Sequence, residues 1–262
     1  FIGDAHRRAS RICNDFELVG GVFSSNHEKS KKTAIKEGIS LDRCYESVDE
    51  LIKAELALPA GKRMEVVAIV TPNAQHYPVA KKLLLNGFHL VCEKPMTMTV
   101  EEALDLEKIV AEKKLTFALT HTYTGYPMVR KMRDLIAKGV LGSIQRIDAQ
   151  YYQGWINSII HGTESRITGV WRLDPKHAGV SSCMGDIGVH AFNLIEYTTG
   201  LEIKEILADL SQVKDDIKLD LDGTVLLRFG NYLKGVIRAS QVCGGEENCI
   251  TIAVYGSKAS LK

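Results

Sequence analysis

No stretch of this 262-residue chain stays apolar for the roughly 18–20 residues that a bilayer crossing needs. The longest apolar run lies within residues 65–70, is rich in β-branched side chains and reads as a buried strand. Charge of one sign is also missing: 33 Lys+Arg stand against 32 Asp+Glu, a formal +1. That balance leaves no electrostatic footprint for nucleic acid or an anionic membrane. There is no C-x-x-C, and the six cysteines (Cys13, Cys44, Cys92, Cys183, Cys243, Cys249) have no Cys/His spacing suited to zinc, so no metal is expected. A disulfide framework would be unusual at this size, which points to buried or half-buried free thiols in a reducing, cytoplasmic compartment. A signal peptide is lacking too, since Phe1 opens without a Met, a basic region or an apolar region. Residues 1–9 read instead as a helix already under way, and residues 255–262 as a turn entering a new strand. The chain therefore reads as an internal fragment of a longer protein.

What is present fits a globular protein of one large or two ordinary domains, with 45% hydrophobic and 25% charged residues. The first half alternates in type. Strands are predicted at 17–23, 65–70, 88–92 and 115–119, and helices at 27–37, 48–58, 75–86 and 100–113, with Gly38 closing the first of these. The run at 65–70 suits a strand buried on both faces, as in a parallel sheet. Such alternation predicts a doubly wound parallel sheet. The second half changes character. A helix at 127–138 and an extended segment at 143–152 precede a stretch bearing Gly154, Gly162, Gly169 and Gly179. One helix follows at 186–199, then strands at 203–210, 224–229, 234–240 and 250–255, with Gly230-Asn231 as a hairpin signal. This predicts an open, mainly antiparallel sheet and a domain boundary within 120–126, giving domains at 1–122 and 123–262.

Five motifs could carry chemistry; the first four lie where ligands bind in such sheets, beyond the carboxyl ends of strands, and the fifth lies on a helix of the second half. Phe1-Ile2-Gly3 could be the end of a dinucleotide fingerprint, or Gly3 a mere helix-start glycine. Ser24, Ser25 and Asn26, with Lys29 following, replace the acidic residue expected of an NAD reader. Hydroxyls and a cation lean toward the 2′-phosphate of NADP, although Ser25 or Asn26 could simply cap the next helix. Thr71-Pro72-Asn73, with His76 in the following helix, is a ligand loop or a plain turn capped by Asn73. Glu93-Lys94-Pro95 follows another strand, where Lys94 can extend its ammonium toward a cleft or form a solvated pair with Glu93. Gly185-Asp186-Ile187-Gly188-Val189-His190 spaces Asp186 and His190 by i,i+4 on one helix face, with Asn193 and Tyr197 continuing the stripe. His190 suits proton transfer near neutral pH, or Asp186 starts the helix and His190 is a satisfied core residue.

Taken in order, Thr71-Pro72-Asn73…His76, Glu93-Lys94-Pro95 and Gly185-Asp186…His190 resemble the glucose–fructose oxidoreductase / inositol dehydrogenase / rhizopine-catabolism (Gfo/Idh/MocA) family. The resemblance implies an N-terminal Rossmann domain, with its first strand upstream of Phe1, and a C-terminal α+β domain whose sheet builds a homo-oligomer, a dimer or tetramer. It implies NAD or NADP as cofactor, bound by Phe1, Ile2, Gly3, Ser24, Ser25, Lys29, Thr71, Pro72, Asn73, His76, Glu93 and Lys94. It makes Lys94, Asp186 and His190 catalytic, and assigns Tyr123, Trp171 and Arg172 with Asp186 and His190 to a sugar, inositol or related polyol substrate. Trp171 could equally be core. The expected activity is hydride transfer from a secondary alcohol to the nicotinamide. His190 would take the hydroxyl proton, Lys94 would stabilise the alkoxide at the same oxygen, and Asp186 would orient the substrate or pair with Lys94. Other readings within the family are a non-catalytic NAD(P)-binding regulator and an NAD-dependent glycoside-cleaving enzyme.

Overall fold

A computed structural model describes residues 2–162, 170–230 and 232–262, so the expectations for Phe1, Gly169 and the Asn231 half of the hairpin signal lie outside the described residues. The described chain forms two compact units. One comprises the residues up to Thr71 with Gln75–Thr120, and the other Pro72–Ala74 with His121–Lys262.

In the first unit, helices α1 (Ile2–Cys13), α2 (His27–Glu37) and α3 (Val48–Leu56) precede strand β1 (Val66–Ile69). Helix α4 (His76–Leu85), strand β2 (His89–Cys92), helix α5 (Val100–Lys113) and strand β3 (Phe117–Leu119) follow. The strands pair in parallel in the order β1-β2-β3, with Val67 opposite Leu90 and Val91 opposite Ala118. Local chemistry sets the helix starts: Asn26, Ser47 and Thr99 accept from the backbone N–H groups of Lys29, Glu50 and Glu102. Gly38 ends α2 with φ 75°, where its lack of a Cβ removes the left-handed penalty. Leu83, Leu84, Phe88, Leu90 and Leu106 fill the core, each at most 2% exposed.

Two expectations fail here. Residues 17–23 make no strand. Gly21 forms a single parallel bridge, its N–H donating to Arg43 O (3.0 Å) and its carbonyl accepting from Tyr45 N (3.1 Å). The partner stretch is too short for a ladder, caught between a 3₁₀ turn at Leu41–Arg43 and the α3 cap at Ser47. Strand β1 is not buried on both faces either: Ala68 is exposed, because β1 is an outer strand of the three.

A buried carboxylate ties this unit together. Glu55 on α3 has no solvent exposure. Its Oε1 accepts from Arg43 Nε (3.0 Å) and Tyr45 OH (2.6 Å), and its Oε2 from Arg43 Nη2 (2.7 Å) and Met64 N (2.6 Å). Burial pushes the Glu55 carboxyl up, but the hydrogen bonds from Arg43, Tyr45 and Met64 outweigh it and hold it below the usual carboxylate range. Burial, then the bond to Glu55, pushes the Tyr45 phenol up to about 12.

The second unit contains α6 (Pro127–Ala137), β4 (Ile144–Tyr152), α7 (Ile156–Ile160), α8 (Pro175–Ala178) and α9 (Val189–Thr199), followed by β5 (Glu205–Ser211), β6 (Asp222–Arg228), β7 (Lys234–Ser240), β8 (Cys249–Gly256) and β9 (Ser260–Leu261). The sheet order is β5-β6-β7-β4-β8-β9. Among the described residues of this sheet only β4 and β7 pair in parallel, and the other pairings are antiparallel. Helix α9 buries Ala191, Leu194 and Ile195 against Ile147, Ile237 and Val254 of the sheet. The fold class thus matches the sequence expectation of a parallel Rossmann-type sheet followed by an open, mostly antiparallel one.

The helix expected over 186–199 is not one helix. A π-helical turn, Met184–Gly188, leads into α9. Its entry is anchored by buried Asp220, which accepts from Ser182 N (2.9 Å) and Met184 N (2.8 Å) through its carboxylate and from Cys183 N (2.9 Å) through its carbonyl. These bonds hold the entering chain to the 220 segment, and the first turn is wider than an α-turn. All six cysteines are free. Cys13 departs from the expected burial, since it ends α1 and faces solvent. Among the described residues no helix is long and apolar enough to cross a membrane.

Candidate active site

In the first unit, the carboxyl ends of β1, β2 and β3 deliver Thr71, Glu93-Lys94 and Thr120 to one edge. Helix α1 starts there as well: a Cβ on Gly3 would stand 3.5 Å from the Val70 side chain. Its first-turn acid, Asp4, is matched by Arg7 (3.5 Å) and Arg8 (2.9 Å). An edge of strand ends beside a helix start, with its local acid neutralised, suits the phosphates of a dinucleotide. The helix is pinned by Glu37, whose side chain is 4% exposed between Arg7 Nε (3.0 Å) and Arg11 Nη2 (2.5 Å).

Glu93 is not part of a solvated pair. It is 9% exposed, and its Oε1 lies 2.8 Å from His6 Nε2 on α1. Its other oxygen accepts from the backbone N–H of Lys94 (3.3 Å). Lys94 itself is half-buried at the end of β2. His76, expected to face a cofactor, is fully buried; its ring spans Thr71 O (2.9 Å from Nε2) and Pro95 O (2.7 Å from Nδ1). With both nitrogens turned to backbone carbonyls, it braces the two loops to each other. Ser24 Oγ accepts from Asn26 N (3.1 Å), and Asn26 is the α2 cap, while Ser25 and Lys29 are exposed.

The second unit gathers the other predicted residues. Asn73 does not cap α4; it is buried and donates to Ala178 O (3.0 Å). Pro72 is half-buried beside it. Asp186, on the π-turn, has its Oδ2 3.1 Å from Arg172 Nε and accepts from Gln241 Nε2 (3.1 Å). Gln241 is fully buried and is itself held by Ser182 Oγ, which donates to its Oε1 (3.1 Å). The Arg172 guanidinium stacks on the half-buried ring of Trp171 (4.4 Å), so these two neighbours and Asp186 form one group.

His190, 8% exposed at the start of α9, lies among aromatic rings. Tyr123 meets it edge-on at 4.9 Å, His121 at 5.8 Å, and Tyr151 is tilted at 6.0 Å. The Tyr123 and Tyr151 hydroxyls are 2.5 Å apart. Burial raises both phenols, Tyr151 far above its ordinary value and further through Tyr123, so both are neutral near pH 7. Asp186, joined to Arg172 and Trp171, and His190, beside Tyr123, thus sit four residues apart on the same short stretch of backbone. Sequence reasoning missed Tyr151, Gln241, Asp220 and His6 as partners of the site. None carries a local signal, and each is brought in by the fold from a distant element.

A family profile described as "Oxidoreductase family, NAD-binding Rossmann fold" matches residues 1–121, and one described as "GFO/IDH/MocA C-terminal domain" matches residues 129–262. The chain is 31% identical over 264 residues to the uncharacterized oxidoreductase YfiI of Bacillus subtilis, covering 100% of this chain and 66% of that protein. It is 26% identical over 221 residues to levoglucosan dehydrogenase of Pseudarthrobacter phenanthrenivorans, covering 76% of this chain and 55% of that one. Among solved structures it superposes on an inositol dehydrogenase homolog from Azotobacter vinelandii, complexed with NAD+, with a TM-score of 0.88 and 30% identity. That match covers 94% of this chain and 62% of the other. The chain therefore spans slightly less than two thirds, or less, of the length of each of these relatives.

Proposed function

Because the chain belongs to the GFO/IDH/MocA oxidoreductase family, we propose that its parent protein oxidises a secondary alcohol of a sugar, cyclitol or related polyol with NAD or NADP. The observation that carries this reading is the pairing, on one short stretch, of a buried imidazole with an arginine-held carboxylate. His190 lies among Tyr123, Tyr151 and His121, and Asp186 is held by Arg172 and Gln241. In this reading His190 accepts the hydroxyl proton as general base. The Lys94 ammonium stabilises the developing alkoxide. Asp186, its orientation set by Gln241, and Tyr123 hold the substrate hydroxyls, with Trp171 and Arg172 beside them.

A dinucleotide would be held by Ile2, Gly3, Ser24, Ser25, Lys29, Thr71, Pro72, Asn73, Glu93 and Lys94. When bound it would supply the acceptor for the hydride leaving the carbinol carbon. His76 has no ring nitrogen to offer and acts by bracing the loops on which Thr71 and Lys94 sit. Exposed Ser25 and Lys29, with no acid at that position, suit a 2′-phosphate, and this inclines the reading to NADP. The six-stranded sheet is proposed as a homo-oligomer surface, supported by Leu207 on β5 and Leu226 opposite it on β6, 67% and 53% exposed on one face.

The test is direct. The full-length protein is titrated with NAD and NADP separately by fluorescence, then supplied with a polyol panel while nicotinamide absorbance is followed. Reduction of the cofactor by at least one polyol is expected. Tight cofactor binding with no reduction across the panel would overturn the reading in favour of a regulator.

A further inference from the structure

Beside His190, a chain of hydrogen bonds has its direction fixed from one end. The indole N–H of Trp155 can only donate, and it lies 3.0 Å from Gln153 Oε1. That contact orients the Gln153 amide, so its NH₂ group points the other way and donates to Asn248 Oδ1 (2.6 Å). The Asn248 oxygen, oriented in turn, is an acceptor only, and Tyr151 must give it its single hydroxyl proton (2.9 Å). With that proton spent, Tyr151 can meet Tyr123 only as an acceptor, and Tyr123 donates across the 2.5 Å between them. Each link leaves no choice to the next. The loop carrying Asn248 reaches this position because Gly154 lets the backbone pass: a Cβ there would stand 2.5 Å from Cys243 O.

We infer that Tyr123 presents only lone pairs to a ligand, so that a polyol hydroxyl beside His190 must donate to it, and that Trp155, Gln153, Asn248 and Tyr151 are the positioning residues that impose this polarity. The inference rests on the polyol reading for its ligand, but the polarity itself does not. A group that can only accept, such as an ether oxygen, a carboxylate or a phosphate oxygen, meets lone pairs at this point and is disfavoured. A hydroxyl or an amide N–H is favoured. The relay therefore selects by donor capacity, which neither the shape of a pocket nor a single tyrosine would do alone.

Two measurements on the full-length protein test it. Neutron diffraction from D₂O-exchanged crystals is expected to place the Tyr123 deuteron toward Tyr151 Oη and the Tyr151 deuteron toward Asn248 Oδ1. A Tyr151 deuteron aimed at Tyr123 would overturn the inference. The second measurement uses D-glucose with its singly deoxygenated and deoxyfluorinated derivatives, comparing kcat and KM separately. At the position that meets Tyr123, fluorine in place of hydroxyl is expected to raise KM as much as removal of the oxygen does, about 3–10-fold for one neutral hydrogen bond. In Tyr151→Phe the Tyr123 proton is released, and the fluoro derivative should then gain on the deoxy derivative by roughly threefold, on the same energy scale. A fluoro derivative that already outperforms the deoxy one in the wild type would also overturn the inference. If no sugar of the series is oxidised, the polyol reading fails for these substrates, and the neutron result still decides the polarity.

Discussion

Each unit contains a carboxylate held by an arginine, and the two are built for different ends. Glu55, in the first unit, has no exposure and five hydrogen bonds from Arg43, Tyr45 and Met64. Every lone pair faces a donor from its own surroundings, and nothing outside can reach it. Asp186, in the second unit, is paired with a half-buried Arg172 on a π-turn, and its side chain keeps 16% exposure. The same pair chemistry closes one site and leaves the other reachable. A fully enclosed carboxylate organises the fold, and a partly open one is available to a ligand.

That contrast can be broken by mutation. The largest effect is expected on the open side: His190→Ala should lower kcat by about 10²–10⁴-fold, the range for a lost general base, while NAD(P) still binds and Tm holds. Turnover near the wild-type rate would remove His190 from the chemistry. Lys94→Ala is expected to lower kcat in the same way, with cofactor binding retained.

On the closed side the effect should fall on stability. Glu55→Ala leaves half-buried Arg43, the buried Tyr45 hydroxyl and Met64 N without their acceptor and should cost about 3–5 kcal/mol by chemical denaturation, with kcat per folded molecule unchanged. A loss below 1 kcal/mol would mean the enclosed carboxylate is not what organises this region. The same carboxylate predicts a pH window. Its folded pKa is depressed, so its contribution is fully present above the unfolded value near 4.3 and is lost as pH falls through the folded value. Tyr45 works in the opposite sense at the alkaline end. Its raised pKa of about 12 gives stability that is complete below the ordinary phenol value and is lost as pH rises through 12. Denaturation midpoints across pH 3–12 should show both flanks in the wild type. Glu55→Gln should lose most of the acid flank.

A subtler comparison uses Gln241, which touches Asp186 from full burial. Gln241→Leu should lower kcat about tenfold and change the pH profile, an effect in the range of one charge-assisted hydrogen bond. A pure stability loss with an unchanged profile would make it structural. The smallest expected effect is Asn26→Ala, about 1 kcal/mol of stability from the lost α2 cap. It should leave the ratio of NAD to NADP affinity as it was, because the Asn26 side chain faces Lys29 N and not a ligand.

Most of the fold could be read in advance because its signals are local. The capped helices at α2, α3 and α5 and the alternation at 65–119 depend on neighbours within a few residues, and these segments appear within one or two residues of expectation. Residues 17–23 show where this fails: β-type side chains mark a willingness to extend, but a ladder also needs a partner of equal length, and 43–45 is too short. The start of α9 fails for a related reason. The i,i+4 spacing of Asp186 and His190 suits an α-helix, but Asp220, from another segment, anchors the entry to a π-turn instead.

Chain order and residue type were enough to mark Lys94, Glu93, Asp186, His190 and Tyr123 as candidates and to identify the family to which the profiles then assigned the chain. The partners of those residues could not be read this way. Gln241 lies 55 positions from Asp186, and Asn248 lies 97 from Tyr151. His76 became a brace only once the Thr71 and Pro95 carbonyls closed on it. Helix propensity and capping act over a few bonds, so they are written in adjacent letters. The direction of a hydrogen bond depends on which donor the folded chain brings within 3 Å, and that is settled only when the sheet is assembled.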